Sequence, residues 1–133
     1  MHLARPLIHH ARTTLALAHR PTTIFRPHHI SRMTSSMSQR LAGKTILITG
    51  ASSGIGKATA LEFARTQPDK LKLILTARRE DALKDVAKEI EGFAKGVKVL
   101  CVRLDVSRVE EVEGFVAGLP EGWADVDVLV NNA

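Results

Sequence analysis

Residues 49–56 read Thr-Gly-Ala-Ser-Ser-Gly-Ile-Gly, directly after the apolar run Thr45-Ile46-Leu47-Ile48-Thr49 and directly before a helical pattern. No other stretch of the chain narrows the possible folds as much. The β-branched run has the composition of a strand buried on both faces. Ala58, Leu61 and Ala64 then recur at helical spacing. A strand that turns through glycines into a helix aims free backbone N–H groups at one point, where the helix dipole adds positive potential. Such a point suits phosphate. In Gly54-Ile55-Gly56 and the preceding Gly50, each glycine has its own task. Gly50 permits the tight turn, Gly54 lets a pyrophosphate approach, and Gly56 lets helix and strand pack closely.

The rest of the chain repeats the alternation. Strands are predicted at 45–49, 71–76, 97–102 and 126–130. The helix between the first two runs from Gly54 to Arg65 and stops near Pro68. The next carries Leu83, Val86, Ala87 and Ile90 on one face and ends near Gly92. A third is predicted from Ser107, with Glu110 completing a capping box. Its apolar stripe would be Val109, Val112, Phe115, Val116 and Leu119, ended by Gly118 and Pro120. Strands and helices alternating at these lengths imply right-handed crossovers and a parallel sheet. The expected class is α/β, doubly wound, with strand order 3-2-1-4. Ligand then sits beyond the carboxyl ends of the strands. Those ends carry the glycine loop, Arg78-Arg79, Asp105-Val106 and Asn131-Asn132-Ala133.

The net charge of +5 misleads. Residues 1–40 hold six arginines and no acid, whereas residues 41–133 hold 13 basic and 14 acidic side chains. The positive balance belongs to a leader, so nothing in it points to nucleic acid as a partner. Leu3, Leu7, Ile8, Ala11, Leu15 and Ala18 fall on one helical face of that leader, opposite Arg5, His9, Arg12 and His19, before Pro21 and Pro27. An amphipathic, Arg-rich, acid-free start is the composition of a mitochondrial transit peptide. The competing readings are a disordered segment, or a true start at Met33 or Met37 and a cytoplasmic protein. The six histidines share no metal-ligand spacing, and no metal site is expected. No apolar stretch is long enough to predict a membrane span. Cys101 is the only cysteine and reads as a small buried hydrophobe. Trp123, Phe63, Phe93 and Phe115 read as packing residues.

Thr49-Gly50-x-x-x-Gly54-x-Gly56, followed in the right strand order by Asn131-Asn132-Ala133, resembles the N-terminal half of the short-chain dehydrogenase/reductase family. The resemblance runs through residues 41–133 and implies a Rossmann-type fold, cut at the family's Asn-Asn-Ala-Gly motif. More narrowly, Gly56-Lys57-Ala58-Thr59-Ala60-Leu61-Glu62, Leu73 to Arg79 and Leu119-Pro120-x-x-Trp123 are similar to the NADP-dependent 3-hydroxy acid dehydrogenases, of serine or allo-threonine dehydrogenase type.

Arg78 and Arg79 bear on the cofactor. NAD-preferring sites place an acid after the second strand to hold the ribose 2′-hydroxyl. Here two guanidiniums stand there, matched to a 2′-phosphate and hence to NADP. The competing reading is a solvated charge pair opening a helix. Ser52 and Ser53 offer hydroxyls to phosphate, or serve only as small turn residues. The resemblance implies that Asp105 accepts from the adenine amino group and that Val106 contributes backbone contact. Asp105 otherwise reads as a helix-start residue. It also implies that Asn132 touches the cofactor ribose and bridges strands, where a local backbone partner is the alternative.

The resemblance further implies reversible hydride transfer to or from small 3-hydroxy acids or alcohols, in a homo-oligomeric full-length form. The family's tyrosine general acid/base, its lysine and its serine all lie downstream of the asparagine motif. The 133 residues contain no tyrosine. The expectation is therefore a fragment of a longer enzyme or a truncated gene product, inactive alone. Its alternative is a non-catalytic NADP-binding module. With Val126, Val128 and Val130 on an unpaired edge, residues 41–133 alone are expected to be marginal or to aggregate.

Overall fold

The central strand β1 (Thr45–Thr49) is buried along its whole length and pairs with a neighbour on each side. The computed structural model describes residues 40–67 and 69–133. The leader helix, its prolines, the starts at Met33 and Met37, and the stop at Pro68 lie outside the described residues. After β1 come α1 (Gly54–Thr66), β2 (Asp69–Ala77), α2 (Glu80–Phe93), β3 (Gly96–Arg103), α3 (Val109–Glu113) and β4 (Val128–Val130). All pairings are parallel and the order is β3-β2-β1-β4, as the alternation predicts. The fold is thus a Rossmann-type parallel sheet. Ile46 sits beside Leu73 on one side and Val128 on the other, which puts the ends of β1, β2 and β4 at one rim.

Helices α1 and α2 cover one face of this sheet. Ala60, Leu61 and Ala64 of α1, with Leu83, Val86 and Ile90 of α2, close over Ile46, Ile48, Leu73 and Leu75. Small residues let α1 lie close. Branched residues on α2 fill the wider gap, each contributing roughly 1.5–3 kcal/mol through burial. Lys57 and Glu89 link the two helices at 2.9 Å. Phe63 packs on the same core, whereas Phe93 lies outside it beneath the Arg65 guanidinium, 5.4 Å from its ring centre. Trp123 holds Lys72 Nζ 5.8 Å above its ring.

Three expectations need correction. The predicted third helix is a single turn. Ser107 does not cap it; its hydroxyl donates to Asp105 Oδ1 at 2.7 Å, and Arg108 stands at the N-cap without a side-chain cap bond. The expected stripe is only partly covered: Phe115 and Leu119 are half-buried, but no residue of α3 is buried, and Val109 is 63% exposed. A helix without a packed face is not held together by propensity over so few residues. β4 is also shorter, beginning at Val128 rather than Val126. At Asp127 the backbone N–H still donates to the Thr45 carbonyl at 2.9 Å, but the Thr45 N–H goes to the Asp127 carboxylate at 2.8 Å instead of to a backbone carbonyl. Cys101 is half-buried, not fully buried; it packs against the core, and burial pushes its thiol up from the ordinary value. β2 and β3 run one or two residues beyond their apolar cores, since ladder hydrogen bonds continue through their polar ends.

Candidate cofactor site

The strand-to-helix turn is built on left-handed backbone. Gly50 has φ +64° and Gly54 has φ +56°, conformations that cost an L side chain. At Gly56 the constraint is space. A Cβ there would stand 2.6 Å from Asn132 Nδ2 and would also strike the Gly50 carbonyl. Around Gly54 the same space is open. The three glycines therefore divide the work as their spacing suggests, with the open side at Gly54.

The end of α1 that faces this turn is electrostatically bare. Its first turn holds no acid, and Ser53 at the N-cap makes no side-chain cap bond. By contrast, α2 begins with Glu80 and Asp81, and α3 with Glu110 and Glu111. An uncompensated helix start with a spare hydroxyl suits an anion.

A cleft of about 650 Å³ opens beside the turn. Gly50, Ser52 and Ser53 form its floor, Arg78 and Arg79 one wall, and Asp105, Val106 and Ser107 the other. The structure thus gathers seven of the residues singled out above. Gly54, Ile55, Gly56 and Asn132 are not on its walls. Ile55 projects outward and is 76% exposed.

Among the described residues no carboxylate pairs with Arg78 or Arg79. Glu80, the next residue in sequence, pairs with Lys84 at 2.8 Å, and that contact keeps its carboxyl below the ordinary value. Both guanidiniums are exposed and available to a ligand. Asp105 lies ahead of α3, whose N-cap is Arg108. Its Oδ1 accepts from the Ser107 hydroxyl and from the Ser107 N–H at 3.1 Å. These two bonds, then the Arg78 and Arg108 charges, hold its carboxyl below the usual range. An ionised Oδ2 remains as an acceptor on the wall.

Asn132 serves the floor from beneath. Its Nδ2 donates to the Gly50 carbonyl at 3.5 Å. The segment that carries it is tied down by Thr49, whose hydroxyl oxygen accepts the N–H groups of Asn132 at 2.9 Å and Ala133 at 3.1 Å. The Thr49 proton has Asn131 Oδ1 within 3.2 Å. Sequence reasoning placed Thr49 at the end of the strand and the head of the glycine motif but gave its hydroxyl no role. It also passed over Glu111, which accepts the Asp105 N–H at 2.9 Å. A polar hydroxyl closing an apolar strand was the available signal for the first; no local pattern marks the second.

On the opposite sheet face a smaller, apolar groove of about 340 Å³ lies between Leu47, Leu129 and Phe115. No group of three or more metal-binding side chains occurs among the described residues, and none of their helices is long and apolar enough to cross a membrane.

Comparison with known proteins agrees with this geometry. Residues 44–133 match the family described as short chain dehydrogenase. An NADP-dependent 3-hydroxy acid dehydrogenase of Schizosaccharomyces pombe is 54% identical over 94 residues, covering 71% of this chain and 35% of that protein. A serine 3-dehydrogenase of Rhizobium radiobacter is 42% identical over 89 residues, covering 67% of this chain and 32% of that protein. L-sorbose reductase from Gluconobacter frateurii, solved with NADPH and L-sorbose, superposes with a TM-score of 0.61 at 39% identity, over 70% of this chain and 34% of that one. The chain spans about a third of the length of these relatives.

Proposed function

The chain belongs to the short chain dehydrogenase family, and from that premise we propose that residues 41–133 are the cofactor-binding part of an NADP-dependent oxidoreductase acting on small 3-hydroxy acids or alcohols. The observation that carries the cofactor is the pair Arg78 and Arg79, without a carboxylate partner among the described residues, at the end of β2 on the wall of the cleft floored by the glycine turn. The substrate class rests on the names of two dehydrogenases similar to this chain in sequence.

The residues present fit the group. The acid-free start of α1 and the Ser52 and Ser53 hydroxyls would take the pyrophosphate. Arg78 and Arg79 would fork onto the 2′-phosphate. Asp105 Oδ2 would accept from the adenine amino group, and Val106 would flank the ring. Asn132 works one layer down, holding the Gly50 carbonyl and so the floor. When bound, NADP supplies a hydride at the nicotinamide C4. The residues of this chain bind and orient it, and we assign them no proton transfer, since none of the 133 is a tyrosine.

The test is a double substitution, Arg78→Ala with Arg79→Ala, read as dissociation constants for NADP and NAD. The NADP constant should rise tenfold or more, on the order of a lost charge-assisted pair, with the NAD constant little changed. Equal losses for the two cofactors would sink the assignment.

A further inference from the structure

We propose that Glu111 is a positioning residue for the adenosine wall of the cleft, acting through the backbone of Asp105. The proposal rests on the NADP reading above.

The β3 side of the sheet ends where the Leu104 N–H donates to the Ala77 carbonyl at 3.1 Å. The next amide, that of Asp105, has left the ladder. It turns instead to Glu111 Oε2 at 2.9 Å. The same carboxylate reaches Arg103 Nη1 at 3.6 Å and Arg108 Nη1 at 3.5 Å. Its side chain is 25% exposed, against 52% and 64% for the two arginines, so it is the sheltered centre of the cluster. One side chain thus clasps the end of β3, the turn that walls the cleft, and α3.

Among the described residues, α3 has little packing to hold it. It is five residues long and buries none of them, too short to persist by itself. Within the turn the Asp105 carbonyl accepts the Arg108 N–H at 3.0 Å, and its Oδ1 is committed to Ser107. These bonds shape the turn internally. Glu111 is the group that fixes the start of the turn to α3.

Reach and charge separate the role from a generic structural one. Glu111→Gln keeps an oxygen that accepts the Asp105 N–H and loses the charge. Glu111→Asp keeps the charge and falls short of the amide. The 133-residue chain is titrated with NADPH and with NAD at fixed ionic strength, and Asp105 amide exchange is followed without cofactor. Glu111→Asp should raise both dissociation constants by about tenfold, the size of one lost amide–carboxylate bond. It should also speed Asp105 exchange, while Glu111→Gln stays within about threefold of wild type on both readouts. If Glu111→Asp binds and exchanges like wild type, or if Glu111→Gln fails as badly, the positioning role is wrong while NADP binding stands. A wild-type chain that binds neither cofactor overturns the NADP reading, and this role with it.

Discussion

Thr49 Oγ1 accepts the backbone N–H of Asn132 at 2.9 Å, tying the last residue of β1 to the segment that follows β4. Because that oxygen also accepts from Ala133, one hydroxyl replaces the strand pairing that ends at Val130. Thr49 is almost fully buried. Thr49→Val keeps its shape and leaves two amides without their acceptor. We expect a loss of about 1–3 kcal/mol, with Thr49→Ser recovering most of it. Urea unfolding measures this, and an unchanged midpoint in Thr49→Val would show that the segment is held by something else.

Two glycines should respond to alanine in opposite directions. At Gly56 the new Cβ meets the Gly50 carbonyl and the Asn132 amide, both fixed by the floor of the cleft. Gly56→Ala should cost about 1–3 kcal/mol from overpacking and weaken cofactor binding. At Gly92, near the end of α2, a Cβ meets nothing within 4 Å. Gly92→Ala should stabilise by about 0.5–1 kcal/mol, because alanine favours helix and has a less disordered unfolded state. Thermal melts of the two variants decide the matter, and a shared sign would contradict the geometry.

Acid should loosen the start of β4. Lys44 Nζ, 2.7 Å from Asp127 Oδ1, and the Thr45 N–H hold the Asp127 carboxyl below its ordinary 3.8. A lowered folded value means that the stabilisation is complete above the unfolded value and fades as pH falls through the folded one. The gap in urea midpoint between wild type and Asp127→Asn should therefore be steady near neutrality and close below 3.8. Asp105 is shifted in the same direction, so wild type loses stability faster than either site alone implies. A gap that does not narrow at all as the pH is taken progressively below 3.8 would show that the carboxylate charge is not what matters.

Local pattern accounts for what was legible beforehand. The run 45–49, the glycines after it and the periodic face of α2 are each contiguous, so their roles show in neighbouring residues. The strand order followed from the alternation. Thr49 and Asp127 act on residues more than eighty positions away, and nothing adjacent to them records it. Arg78 and Arg79 could be placed at a strand end, but the sequence does not record that Glu80 pairs with Lys84 and Glu111 with Arg103 and Arg108. The third helix misled because apolar spacing states what a face would bury, not whether a surface waits for it.

That last point has a direct test. Val116, in the expected stripe, is 44% exposed, whereas Ile90 of α2 is fully buried beneath the sheet. Had the stripe packed as a helix, alanine at either position would leave a cavity. With the single-turn α3 seen here, Val116→Ala should stay within about 0.5 kcal/mol of wild type, as exposed substitutions do. Ile90→Ala should cost about 2–5 kcal/mol from lost burial and an unfilled cavity. Paired urea titrations read both values. A cost at Val116 approaching that at Ile90 would mean that the 109–119 segment packs in solution as its periodicity suggests, and the one-turn description would have to give way.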